Sequence, residues 1–152
     1  MPCYTFFNNI FSGSQDGTIK QWAPSGECKK TIQATKAEVR SLALWDGDIL
    51  AAGMRYGSIK VWDTRNWNEQ ASISGLAGDV WALAFRSKDE LISGSGDWNL
   101  PGQITVWDPP SGKQIRLINH TGEVLSVAVS SNGKHLAAGG GDGVVMIVPF
   151  PK

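Results

Sequence analysis

Chemistry in a protein needs groups that attack, ligate or exchange protons, and this chain of 152 residues has few of them. His120 and His135 are its two histidines, and Cys3 and Cys28 its two cysteines. A nucleophile with its base, or a zinc set, has to draw on such residues. His135 closes the polar run Ser131-Asn132-Gly133-Lys134-His135, which reads as a surface turn. Cys3 and Cys28 have neither ligand spacing nor a disulfide framework, so a reducing compartment is the default. Two glycine-rich stretches, Gly94-Ser95-Gly96 and Gly139-Gly140-Gly141, open no helix and so do not read as phosphate cradles. What remains are three carboxylates, Glu38, Asp79 and Glu123, which recur at equivalent places along the chain. Converging, such acids could exchange protons or hold a cation. The plainer reading is that they are polar loop residues. No metal, no cofactor and no catalytic residue is expected.

Composition narrows the classes further. Apolar residues make up 41% and charged residues 18%, a globular balance. Lys+Arg and Asp+Glu are 14 each, so the total shows no basic footprint for nucleic acid. Lys29-Lys30 with Lys36 and Arg40 is a small local exception. No apolar run is long enough to span a bilayer, and no signal-peptide pattern opens the sequence. The expected setting is the cytoplasm, with the nucleus left open. Two counts stand out, 18 glycines and 7 tryptophans.

Those residues recur. Phe11-Ser12-Gly13-Ser14-Gln15-Asp16-Gly17-Thr18-Ile19-Lys20-Gln21-Trp22 aligns with Leu50-Ala51-Ala52-Gly53-Met54-Arg55-Tyr56-Gly57-Ser58-Ile59-Lys60-Val61-Trp62-Asp63. A third copy is Leu91-Ile92-Ser93-Gly94-Ser95-Gly96-Asp97, resumed at Gly102-Gln103-Ile104-Thr105-Val106-Trp107-Asp108 after the insertion Trp98-Asn99-Leu100-Pro101. A fourth runs Leu136-Ala137-Ala138-Gly139-Gly140-Gly141-Asp142-Gly143-Val144-Val145-Met146-Ile147-Val148. Gly13, Gly53, Gly94 and Gly139 lie 40, 41 and 45 residues apart. Each copy has alternating apolar positions, the period of a strand, around an Asp-Gly or Tyr-Gly hairpin signal. Upstream lie further strands: Val39–Leu44, Val80–Phe85 and Val124–Val129, with small residues at alternate places. Polar strands (28–32, 70–73 and 114–118) precede these.

The Ser-Gly-Ser-x-Asp-Gly-x-Ile-x-x-Trp pattern, the Trp62-Asp63 and Trp107-Asp108 pairs and Asn119-His120-Thr121-Gly122-Glu123-Val124 resemble the WD-repeat (WD40) β-propeller family. The resemblance covers nearly the whole chain. It implies an all-β fold of four-stranded antiparallel blades round a channel. It also implies a structural hydrogen-bond set in each blade: a His before the inner strand, a Ser/Thr on the second, an Asp in the hairpin and a Trp on the third. Ser12, Asp16 and Trp22 fill three of these places in blade one, Trp62 one in blade two, and Ser93, Asp97 and Trp107 three in blade three. His120 and Asp142 fill two in blade four, where Ala138 replaces the serine. No blade has the full set, and none reads as a catalytic triad.

About 41 residues per repeat gives roughly 3.7 blades, just below the smallest closed propeller of about four. The chain divides into one partial propeller over 1–152, with repeats at about 1–33, 34–74, 75–119 and 120–152. The innermost strand of blade one is expected at Cys3–Phe7, and blade four lacks its outer strand. Two blade faces and one strand edge are then left without partners. The chain is read as part of a larger propeller, as half of a ring shared with a second copy, or as a strained four-bladed closure, in that order.

The resemblance implies an interaction scaffold that binds a protein or peptide. The residues after the first valine of each inner strand, Arg40, Trp81 and Leu125, would face the channel rim on the narrower side, with Lys36, Glu38, Asp79 and Glu123 in the same loops. Trp and Arg suit a binding hot spot. Arg40 is expected to be exposed, and Trp81 to be either a docking residue or a packing one. Trp98 in its polar loop reads as an exposed anchor or as a cover for the blade edge. A channel-mouth enzyme or cation-binding propeller using the loop carboxylates is the alternative.

Overall fold

The computed structural model describes residues 3–6 and 9–150, so Phe7 of the expected first strand lies outside the described residues. All its regular elements are strands: β1 (Cys3–Phe6), β2 (Asn9–Gly13), β3 (Thr18–Trp22), β4 (Cys28–Gln33), β5 (Val39–Trp45), β6 (Ile49–Met54), β7 (Ser58–Asp63), β8 (Asn68–Ile73), β9 (Asp79–Ser87), β10 (Glu90–Asp97), β11 (Leu100–Asp108), β12 (Lys113–Asn119), β13 (Val124–Val129), β14 (His135–Gly140) and β15 (Val145–Pro149). They form four antiparallel sheets in chain order, β1-β2-β3-β4, β5-β6-β7-β8, β9-β10-β11-β12 and the three-stranded β13-β14-β15.

The burial pattern follows from the sequence. The second and third strands of the two middle repeats are largely buried on both faces, because a sheet lies on either side of them. β6 is buried from Leu50 to Met54, and β10 from Leu91 to Gly96. The outer strands β4 and β12 are almost wholly exposed, in keeping with Lys29, Lys30 and Arg116. Three apolar cores fill the seams between successive sheets. Phe11 and Ile19 meet Val39, Leu42 and Leu50 in the first; Ile59 and Val61 meet Leu83, Leu91 and Trp107 in the second; Ile104 and Val106 meet Leu136 and Val148 in the third.

The seams hold the row together through the inner strands. β1 packs on β5, β5 on β9, and β9 on β13. Among the described residues no comparable packing returns from β13 to the first sheet, so the ring is not closed within this chain. Accordingly Val145 and Ile147 on β15 are 68% and 60% exposed.

The insertion in the third repeat differs from the expected loop. Asp97 pairs with Leu100, so only Trp98 and Asn99 form the turn, and the inserted Leu100 and Pro101 lengthen β11. A register shift between Ser95 and Asp97 absorbs the extra length as a bulge, and Pro101 sits in that irregular stretch, where a missing N–H costs little. Asp97 accepts the Asn99 N–H at 2.8 Å and fixes the turn. The Tyr56-Gly57 turn has both residues left-handed, at φ 67° and 73°. That conformation suits a tight hairpin turn but is unusual for tyrosine.

Candidate functional site

At the rim between the second and third sheets, the loop before β5, the β6–β7 hairpin and the start of β9 come together. Glu38 accepts an ion pair from Arg40 at 2.7 Å and another from Arg55 at 2.9 Å. Arg40 Nε lies 3.3 Å from Asp79, and the Arg40 guanidinium sits 4.8 Å over the Trp81 ring. Trp81 Nε1 donates to the Gly96 carbonyl at 3.0 Å. Asp79 accepts the Tyr56 N–H at 3.0 Å, and Arg55 lies 4.9 Å over the Tyr56 ring. The acidic residues therefore hold the strained Tyr56 turn and two cations in one network across the seam.

This corrects the expectation for Arg40. Its side chain is only 23% exposed, because a carboxylate from each of two sheets and an indole close over it. Trp81 is half-buried, with its edge and one face fixed. Leu125 is 44% exposed, and Lys36 is exposed and stands outside the network.

Of the residues that protrude most, Trp98 takes the exposed one of its two expected positions, and Tyr56 was not among the expected rim residues. Tyr56 is 73% exposed and Trp98 86%. With Arg40, Asp79, Trp81 and Glu123 they line a cleft of about 570 Å³. Trp98 and Glu123 also border a second cleft of about 390 Å³ with Thr121 and Asp142. Tyr56 stands where other repeats carry the hairpin aspartate. A tyrosine in place of that aspartate, just before Gly57, was the sequence signal that could have marked it.

The expected blade hydrogen bonds are partly assembled. Trp22 Nε1 donates to Ser12 Oγ at 2.9 Å, and Trp107 Nε1 to Ser93 Oγ at 2.8 Å. Trp62 faces a repeat in which Ala52 offers no such acceptor. Asp16 accepts from Thr18 Oγ1 at 2.7 Å and from the Thr18 N–H at 2.9 Å, and these bonds hold its carboxyl below the usual range. Asp142 is likewise held low, first by Thr121 Oγ1 at 2.5 Å and then by the Val144 N–H at 3.1 Å. His120 is buried, and its Nδ1 lies 3.1 Å from the Gly122 backbone. Asp142 is thus hydrogen-bonded to Thr121 rather than His120, and Asp97 to its own turn. Asp63, after Trp62, is pulled down to about 2 by the Arg65 guanidinium and backbone. Of the three recurring carboxylates, Glu38 and Asp79 are paired with arginines, and Glu123 makes no ion pair among the described residues. Among the described residues no three His, Cys, Asp or Glu side chains stand where they could hold a metal ion.

Four such sheets in a row, joined at their inner strands, are propeller blades. The family model "WD domain, G-beta repeat" matches residues 3–23, 26–63 and 112–148, more than half of the chain. The chain belongs to the WD-repeat family. It is 30% identical over 127 residues to the target of rapamycin complex subunit LST8 of Saccharomyces cerevisiae, covering 81% of this chain and 41% of that protein. It is 32% identical over 158 residues to the nuclear distribution protein nudF of Aspergillus niger, covering 97% of this chain and 35% of that protein. The chain therefore spans less than half the length of these relatives. Among solved structures, the computationally designed Ika4 protein superposes with TM-score 0.84 at 30% identity, over 99% of this chain and 90% of that one. U3-55K superposes with TM-score 0.83 at 26% identity, over 95% of this chain and 46% of that one. Among the described residues no helix is long and apolar enough to cross a membrane.

Proposed function

We propose that the chain is a non-catalytic interaction scaffold that binds a protein or peptide at the rim described above. Its wheel is completed by blades beyond these four sheets, from a second copy or from the rest of a longer chain. It acts in the cytoplasm or nucleus, without a cofactor and without nucleic acid.

The observation that supports the binding role is the aromatic rim cleft. Tyr56 and Trp98 stand out into solvent beside the half-buried Trp81, while the ion pairs of Arg40 and Arg55 link the residues of the cleft's floor. Large aromatic groups on a rigid base bury area at low entropy cost when a partner docks. The LST8 relative, by its name a subunit of a complex, is in keeping with this role.

Affinity capture with purified wild-type chain and with Arg40→Ala, Trp81→Ala, Trp98→Ala and Leu125→Ala variants tests it. The same specific partner is expected to lose tenfold or more in affinity with Trp81→Ala or Trp98→Ala, the scale of a hot-spot truncation. Unchanged capture by all four folded variants would overturn the rim as the docking site.

A further inference from the structure

We propose that a second copy of this chain covers the open face of the fourth blade with the open face of its own first blade, so that two chains close one eight-bladed ring. The proposal rests on the reading that the wheel is completed from outside these four sheets, and it names the partner.

The internal repeat shows what the open face is built to meet. In the second blade, Ala43, Ala51, Ile59 and Val61 face the third blade and are 1%, 0%, 0% and 0% exposed. Repeat alignment puts Ala128, Ala137, Val145 and Ile147 at the same four places in the fourth blade. The side-chain types match, yet Ala128, Val145 and Ile147 are exposed and Ala137 is half-buried. The glycines tell the same story. A Cβ on Gly53 would meet Val80 of the next blade at 2.5 Å, and one on Gly94 would meet Val124 of the next blade at 2.5 Å. A Cβ on Gly139, the equivalent residue, would meet nothing within 4 Å. The fourth blade is therefore an interior blade by composition, with its neighbour missing.

The covering surface is present on the same chain. In the third blade, Leu91, Ser93 and Trp107 face the second blade, and the Trp107–Ser93 hydrogen bond spans that face. Their equivalents in the first blade are Ile10, Ser12 and Trp22, with the same Trp-to-Ser bond already formed. All three are only half-buried, whereas Leu91 and Ser93 are 0% exposed and Trp107 7%. Each chain thus carries one half of a blade seam at each end. Two copies related by a two-fold axis along the channel form two identical seams and leave no face open. The four blades superpose on 46% of the U3-55K chain, so two copies supply about a full wheel of that size.

Sedimentation equilibrium on the wild-type chain, a Val145→Glu variant and an Ile147→Glu variant decides the matter. Both positions are mostly exposed, so the variants are expected to fold, with circular dichroism like that of the wild type. The wild type is expected at twice the single-chain mass, and each variant at the single-chain mass with dimerisation weakened at least a hundredfold. A wild type of single-chain mass overturns the proposal, as does a dimer that survives both substitutions or an assembly larger than two. If the wild type is a single chain and still binds its partner through Trp81 and Trp98, the scaffold reading stands and only the second-copy closure falls.

Discussion

Replacing Trp107 by alanine is expected to remove about 3–5 kcal/mol of stability, the scale for truncating a buried indole. Trp107 is 7% exposed and shares the central core with Leu83, Leu91, Val61 and Ile73. Its loss leaves a cavity in a seam that joins two sheets, so both sheets lose packing. It also strips the fully buried Ser93 hydroxyl of the indole N–H it accepts. Against a typical total of about 5–15 kcal/mol, this is a large share. Urea denaturation followed by fluorescence measures it. The companion is Trp22→Ala in the Val145→Glu background, where the chain is expected to be alone. Trp22 makes the same hydrogen bond on an open face, so its removal is expected to cost less than half as much. Equal costs would mean that the first blade's face is covered within one chain.

The second large effect is steric. Gly94→Ala is expected to destabilise by about 1–3 kcal/mol or more, as overpacking a close contact does. The new methyl would lie 2.5 Å from Val124 Cγ1 and 3.1 Å from Val127 Cγ1. Both neighbours are β-branched and stiff at χ1, so neither can swing away cheaply. A chain of this size loses about 2–4 °C of thermal midpoint for each kcal/mol. Gly139→Ala is the control. Its Cβ points into open space, so removing glycine's freedom in the unfolded chain is expected to leave stability unchanged or raise it by up to about 1 kcal/mol. Calorimetry on the two variants, again with Val145→Glu, reads the contrast. A similar loss at both positions would contradict the open fourth face.

The architecture was legible because its signals are local and repeated. Each glycine approach, hairpin and tryptophan strand recurs at nearly fixed spacing, so a weak pattern becomes a strong one when it falls into register four times. The missing outer strand of the fourth blade was readable for the same reason. The rim was harder. Arg40 is covered because Asp79 and Trp81 reach it from the next blade, about forty residues on, and no local pattern carries that pairing. Asp142 turns to Thr121 at 2.5 Å, a choice between two adjacent partners that spacing leaves open. The Trp98 insertion reads as a loop by composition, because a bulge that takes up extra residues while pairing continues leaves no mark in the sequence. Tyr56 and Trp98 sit on hairpins of different blades, and only the packing of those blades brings them to one cleft.

These four blades form an open arc. Spin-label distances measured by pulsed electron resonance test it most directly. The labels go on the hairpin tips at Gln15 and Val144, in a Cys3→Ser, Cys28→Ser background diluted with excess unlabelled protein. A Tyr56–Trp98 pair calibrates the separation of tips on adjacent blades. An open arc predicts a Gln15–Val144 distance clearly longer than the calibrating pair. A single narrow distance matching that pair would mean that the first and fourth blades touch within one molecule.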